Sequence, residues 1–243
     1  VKPQILSVEG AHNADLAAST ARIIEGGSWK KQRVVMLIPA GATIPAKVYL
    51  SHCSLAFPPN QAAHRMLAMG MEVGEAFSSA IEQILSHPEL GQWEYLLTIE
   101  HDNCPPPDGV VRLIRRLDAC PYLTAVSGLY WTKGFGGVPQ IWGDPNDPVL
   151  NFRPQPPVAD ALVECCGIGM GFALWRLQAF RDANLRRPWF RTLDGSQGQG
   201  VGTQDLYFWG DARKHGHRCA VDCSVKVGHY DLEGKFGPPD TMW

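Results

Sequence analysis

The chain has 243 residues, 45% hydrophobic and 19% charged, which is enough to bury a sizeable core in one large domain. A formal net charge of −2 excludes a strongly basic nucleic-acid binder while leaving room for a local basic patch. Seven Cys without two CxxC pairs exclude a zinc ribbon, and no apolar run approaches a membrane span. The expected thiols are reduced and mostly buried, as in a cytoplasmic protein.

In chain order, Val34 to Ile38 is a continuous apolar run ended by Pro39-Ala40-Gly41, the pattern of a buried parallel strand. Met71 to Leu85 has helical spacing, with Val73, Phe77, Ala80, Ile81, Ile84 and Leu85 on one face. Tyr95 to Ile99 is a second buried strand. Pro105 to Pro107 turn the chain, and Asp108 is expected to cap a helix that buries Val110, Val111, Ile114 and Leu117. Arg112, Arg115 and Arg116 are then its wet face. Leu123 to Leu129 predicts a third strand, and residues 134–157, rich in Gly, Pro, Asn and Asp, predict hairpins and loops. Met170 to Leu174 reads as a strand and Leu177 to Ala183 as a short helix. Residues 191–202 read as a mobile loop that orders over a bound ligand. Thr203 is expected to cap a helix from Gln204 to His215, stopped by Gly216. Val221, Cys223, Val225 and Val227 alternate with Asp222, Ser224 and Lys226, as in a half-buried strand. The order is that of an α/β protein with a mixed, mainly parallel central sheet flanked by helices.

Polar chemistry concentrates just after strands. Glu100-His101-Asp102-Asn103 follows the strand YLLTI, where ligands bind in open α/β sheets. Carboxylates there can hold a hard divalent cation that clamps a diphosphate. In an extended chain Glu100 and Asp102 would point the same way. A solvated polar loop is an equally weighted reading. His229, in Gly228-His229-Tyr230-Asp231, can supply a neutral imidazole ligand, though a lone His is more often a satisfied structural residue. Asp205, in Thr203-Gln204-Asp205, sits where a helix N-terminus favours the anion and can act as a general base, or be a plain first-turn acid. Tyr130, Trp131 and Lys133 leave the third strand, offering aromatic faces for sugars or bases and a cation for a phosphate, or simply aromatic packing beside a solvated Lys.

Together these features resemble the GT-A glycosyltransferases, particularly family-2-like members, over about residues 33 to 231. The resemblance implies a GT-A (Rossmann-like) fold in a single catalytic domain spanning 1–243. Its nucleotide-sugar half is about 33–130 and its acceptor half about 131–231. It makes Pro39 and Ala40 the nucleotide end of the first strand. Glu100-His101-Asp102 takes the place of the metal- and diphosphate-binding DxD motif, with Glu100 for the first acid. GIGMGFALWR, containing Gly169, becomes the segment near the acceptor. Gln204-Asp205 takes the place of the acidic pair, leaving Asp205 alone as catalytic base, and His229 becomes the late metal ligand.

The expected function is therefore a Mn²⁺- or Mg²⁺-dependent transfer of a sugar from a UDP- or GDP-linked donor to an acceptor hydroxyl, with inversion. Asp102, His229 and Glu100 are the expected metal ligands. Pro39, Ala40, Glu100, His101, Asp102 and Lys133 are expected at the donor, and Tyr130, Trp131, Gly169 and Gln204 at the acceptor. The acceptor can be a glycan, a small molecule, a protein or a modified nucleic-acid base; no membrane partner is expected. A nucleotidyltransferase ranks lower, because the loop from Pro39 to Pro45 lacks a basic residue. A non-catalytic nucleotide- or sugar-binding module of the same fold is the third reading.

Overall fold

The computed structural model describes residues 31–59, 61–195, 201–238 and 240–243. Its elements in chain order are β1 (Val34–Ala40), α1 (Ala46–Cys53), β2 (Ala63–Met69), α2 (Val73–Ser86), β3 (Tyr95–Ile99), β4 (Asn103–Cys104), α3 (Gly109–Ala119), β5 (Ala125–Leu129), β6 (Ile141–Trp142), β7 (Leu162–Cys165), β8 (Gly167–Ile168), β9 (Phe172–Arg176), β10 (Leu193–Asp194), β11 (Val201–Gly202), α4 (Gln204–Ala212), β12 (Cys219–Lys226) and β13 (Gly228–His229). A 3-10 turn at Leu177–Arg181 follows β9, and another at Arg213–His215 continues α4 until Gly216 stops it at φ 84°. Residues Gln32–Trp243 form one compact unit; the rest of the expected domain, residues 1–30, lies outside the described residues. No helix among the described residues is long and apolar enough to cross a membrane.

The central sheet has seven strands in the order β2-β1-β3-β9-β5-β12-β7. Strands β2, β1 and β3 are parallel, as are β5 and β12, while β9 runs antiparallel between β3 and β5, and β7 antiparallel at one edge. This is the mixed, mainly parallel GT-A (Rossmann-like) sheet. Because β1, β3, β5 and β12 point the same way, their carboxyl ends share one edge. The antiparallel β9 brings the segment before it, with Gly169 and Gly171, to that same edge.

Two cores cover the two faces. On one, α3 buries Val110, Leu113, Ile114 and Leu117 against Met36, Leu97 and Val126. On the other, α2 and α4 pack through Phe77, Ile81, Phe208 and Trp209 around Trp175. Trp175 stacks on Trp209 at 5.3 Å between ring centroids, and Phe190 stacks on Phe208 at 4.9 Å. Offset and edge contacts of this kind add to the area they bury.

Several local expectations are corrected. Leu113, not Val111, completes the buried face of α3, because the helix phase puts Val111 at its margin. Asp108 makes no side-chain cap; it lies 3.7 Å from Arg112 instead. Thr203 also makes no side-chain bond to the helix backbone. Arg116 leaves the wet face: its Nε donates to Asp222 Oδ2 at 2.7 Å, and Asp222 is only 1% exposed. β12 is therefore covered on both faces there, and its alternation marks an ion pair under α3 rather than solvent. The expected loop 191–202 begins and ends as a hairpin, Leu193–Asp194 against Val201–Gly202, and its middle, residues 196–200, lies outside the described residues.

Trp175 is fully buried among Phe180, Phe190, Phe208 and Trp209. Trp175→Ala is expected to cost about 3–5 kcal/mol, the usual range for deleting a buried aromatic. A urea melt would show this as a lower midpoint at unchanged slope, and a loss below about 1 kcal/mol would mean the cluster is not a structural anchor.

Candidate active site

A cleft of about 380 Å³ opens at the carboxyl edge of β1 and β3. That size suits a small-molecule ligand. Pro39, Ala40, Glu100, His101 and Asp102 line it together, and Gly70 and Met71 after β2 complete it. The last two were not anticipated, because β2 itself was not. Its sequence AHRMLAM has a polar start and no β-branched residue, and as an edge strand it stays largely exposed.

The residues after β3 do not continue extended. Asn103 N–H donates to the Glu100 carbonyl at 3.1 Å, and Glu100 N–H to Gly171 O at 3.3 Å, so the acids sit in a turn and acquire different neighbours. β4 then pairs antiparallel with β13, setting Asn103 opposite His229. Tyr230 N–H donates to Asp102 O at 2.7 Å, and the His229 backbone exchanges hydrogen bonds with Trp243 at 2.9 and 3.1 Å. Beneath the turn, buried His52 donates from Nε2 to Asn103 O at 2.9 Å. The turn bearing Asp102 and the strand bearing His229 are thus one hydrogen-bonded unit.

The Asp102 carboxylate is the centre of this unit. Lys133 Nζ contacts its Oδ2, and His229 Nε2 lies 3.6 Å from the same oxygen. Oδ1 is buried without a hydrogen-bond partner. Burial opposes ionisation, but His229 and Lys133 outweigh it and hold the carboxyl well below the usual range. His229 Nδ1 is 2.7 Å from Trp131 O. A carbonyl only accepts, so Nδ1 carries the proton and Nε2 faces Asp102.

Glu100 behaves in the opposite way. Burial, then the charges of Asp102 and Asp205, push its pKa up to about 8, with Lys133 offsetting only part. Among the described residues, no group of three His, Cys, Asp or Glu side chains converges as a metal site. Of the expected ligands, Asp102 and His229 lie together, with His229 Nε2 3.6 Å from Asp102 Oδ2. The orphaned Asp102 oxygen and the Nε2 atom of His229 suit a hard or borderline cation, with further positions left to ligand oxygens.

Asp205 is 6% exposed at the first turn of α4. Leu206 N–H donates to its Oδ1 at 2.9 Å, and Thr203 hydrogen-bonds to it. Burial nevertheless raises its pKa above the ordinary carboxylate value. The expectation of a stabilised anion is corrected: desolvation outweighs the Thr203 and backbone hydrogen bonds that favour it.

The expected acceptor residues are placed as follows. Tyr130 is 2% exposed, so its ring is not an open platform. It packs edge-on against His229 at 5.7 Å and its oxygen accepts from Gly171 N–H at 2.8 Å. A Cβ on Gly169 would run into the Tyr130 hydroxyl, so Gly169 is there to let the phenol approach. Trp131 is half-buried and supplies the carbonyl that orients His229. Gln204 is half-buried beside Asp205.

No family model and no curated protein matches this chain. Solved structures do. A197 from STIV is similar at 15% identity and TM-score 0.57, over 82% of this chain and 86% of that one. GalNAc-T7, solved with UDP, GalNAc and Mn²⁺, is similar at 12% identity and TM-score 0.55, over 96% of this chain and 55% of that one. At these identities the likeness is one of fold alone.

The state of Asp205 is testable through stability. Its folded pKa lies above the unfolded one, so the folded state holds a proton that the unfolded chain releases, and stability falls as pH rises between the two values. Asp205→Asn removes that loss. The variant should melt higher than the parent at pH 7, with the gap closing as pH falls toward about 4. A melting temperature at pH 7 equal to or below the parent's would mean that Asp205 is well solvated or paired.

Proposed function

We propose that this protein is a glycosyltransferase that moves a sugar from a UDP- or GDP-linked donor to an acceptor hydroxyl, with inversion at the anomeric carbon. The observation that carries the reading is the shared cleft edge. Pro39, Ala40 and the Glu100–Asp102 turn line one pocket, Lys133 and His229 meet on Asp102, and buried Asp205 lies close enough to act electrostatically on Glu100. The GT-A-like fold supports it.

In this reading the donor nucleotide occupies the cleft beside Pro39 and Ala40. Asp102 and His229 would hold a Mn²⁺ or Mg²⁺ ion, which when bound neutralises the charge of the leaving diphosphate. Lys133 provides a further positive charge beside the diphosphate. Asp205 accepts the acceptor hydroxyl's proton. The acceptor oxygen forms the new bond to the anomeric carbon while the carbon–oxygen bond to the diphosphate breaks and its electron pair leaves with the nucleoside diphosphate. The burial that raises the proton affinity of Asp205 makes it a stronger base than a solvated aspartate, and the aromatic anchor of α4 keeps it in place.

Incubation with UDP- and GDP-sugars and Mn²⁺ should release nucleoside diphosphate. Release of pyrophosphate would favour a nucleotidyltransferase, and no turnover of any donor a binding module. Asp102→Ala should abolish metal-dependent nucleotide binding while the fold survives; nucleotide affinity equal to the parent's in Mn²⁺ would remove Asp102 from the site. Asp205→Asn should leave donor binding within a few-fold and lower transfer by roughly 10²-fold or more, the range for losing a general base. Near-normal transfer would leave Asp205 a structural acid.

A further inference from the structure

Lys133 does more in this site than add a charge to it. Its ammonium lies on Asp102 Oδ2, the oxygen that His229 Nε2 also faces at 3.6 Å. The Lys133 side chain is 16% exposed and that of Asp102 14%, so the pair is largely out of water. The remaining carboxylate oxygen, Oδ1, has no partner. A divalent cation coordinated by Asp102 and His229 would have to approach the same carboxylate. A divalent cation and an ammonium on one buried carboxylate repel each other strongly unless a second anion offsets their charge.

We propose, building on the glycosyltransferase reading, that Lys133 and a divalent cation are alternative partners of Asp102. In the ligand-free site Lys133 occupies the carboxylate, and when cation and nucleoside diphosphate arrive together the ammonium transfers to a phosphate oxygen. The diphosphate is the second anion that the exchange requires. Cation affinity is therefore low until nucleotide is present, and the two ligands bind with positive coupling. The backbone supports a side-chain exchange without refolding. Thr132 N–H donates to Val138 O at 2.9 Å and Gly137 N–H to Gly134 O at 3.1 Å, so the loop bearing Lys133 is a hydrogen-bonded turn. A four-carbon stem on such a turn lets the ammonium move between two anions while its Cα stays in place.

The test is Mn²⁺ binding by titration calorimetry, without nucleotide and then with UDP or GDP, for the wild type, Lys133→Met and Lys133→Arg. Far-ultraviolet circular dichroism reports whether each variant folds. Without nucleotide, Lys133→Met is expected to bind Mn²⁺ about tenfold more tightly than wild type, since the competing ion pair is gone. Lys133→Arg keeps a competing cation and should stay near wild type. With nucleotide, the coupling between Mn²⁺ and diphosphate should shrink in Lys133→Met. Equal or weaker Mn²⁺ binding by Lys133→Met without nucleotide would overturn the exchange while leaving the metal site intact. If no protein binds Mn²⁺ but wild type binds the nucleotide and Lys133→Met does not, the exchange is overturned and Lys133 is itself the site's only cation. If none binds Mn²⁺ or nucleotide, the underlying functional reading fails as well.

Discussion

Withdrawing a carboxylate from water costs several kcal/mol unless positive charge or hydrogen bonds replace the lost solvation, and Asp102 is withdrawn with one oxygen unpartnered. Much of the carboxyl edge is explained by that requirement. Lys133, carried by the chain leaving β5, lies on the other oxygen, and His229, carried by β13, faces it. The β4–β13 pairing and the Tyr230 N–H to Asp102 carbonyl bond hold the two segments in register. None of these contacts is local in sequence. Asp102, Lys133 and His229 meet because β3, β5 and β12 deliver their ends to one edge.

The acids on the other side of this cluster follow a different physics. At Glu100 the charge of Lys133 offsets only part of the rise, and desolvation is the first cause of the raised pKa of both Glu100 and Asp205. One edge thus holds an ionised Asp102 and, close by, two carboxyls with raised proton affinity. Environments that push neighbouring carboxyls apart in pKa are how a single site assigns anion and proton-acceptor roles to chemically similar groups. The division depends on rigidity. Trp209 stacked on Trp175 and Phe208 stacked on Phe190 fix α4, and with it the depth at which Asp205 is buried.

What could be read from the sequence was whatever a short window contains. β1 and β3 are continuous apolar runs, α2 has a clean helical stripe, and Gly216 is where the α4 segment stops. β2 and α1 were not legible, because an edge strand and a helix that buries only Val48 and His52 carry little periodic signal. The alternation of β12 was legible but its meaning was not. Asp222 looks like a solvent-facing residue until α3 lays Arg116 over it. At the candidate site the same limit holds. The polar turn after β3 and the late His stand out by position, whereas the raised pKa of Asp205 and the burial of Tyr130 depend on what packs from elsewhere. Gly169 and Gly171 drew attention as a glycine-rich segment, and their reason is steric: each makes room for the Tyr130 phenol.

Likeness at 12–15% identity shows that a fold of this kind tolerates almost complete replacement of its side chains. Fold therefore says little about chemistry here, and function resides in the residues at the strand ends. Those residues are not a random sample of polar groups. Glu100 feels the charges of Asp102 and Asp205, while Lys133 acts on Glu100 and, with His229, on Asp102. An excess of buried acid over base is unfavourable for stability alone, because each further ionised carboxyl raises the cost of the next. A purely structural cluster would relieve it with an added Arg or with apolar replacements. In the proposed reaction a divalent cation would bring positive charge to Asp102, and the diphosphate would give Lys133 a new partner.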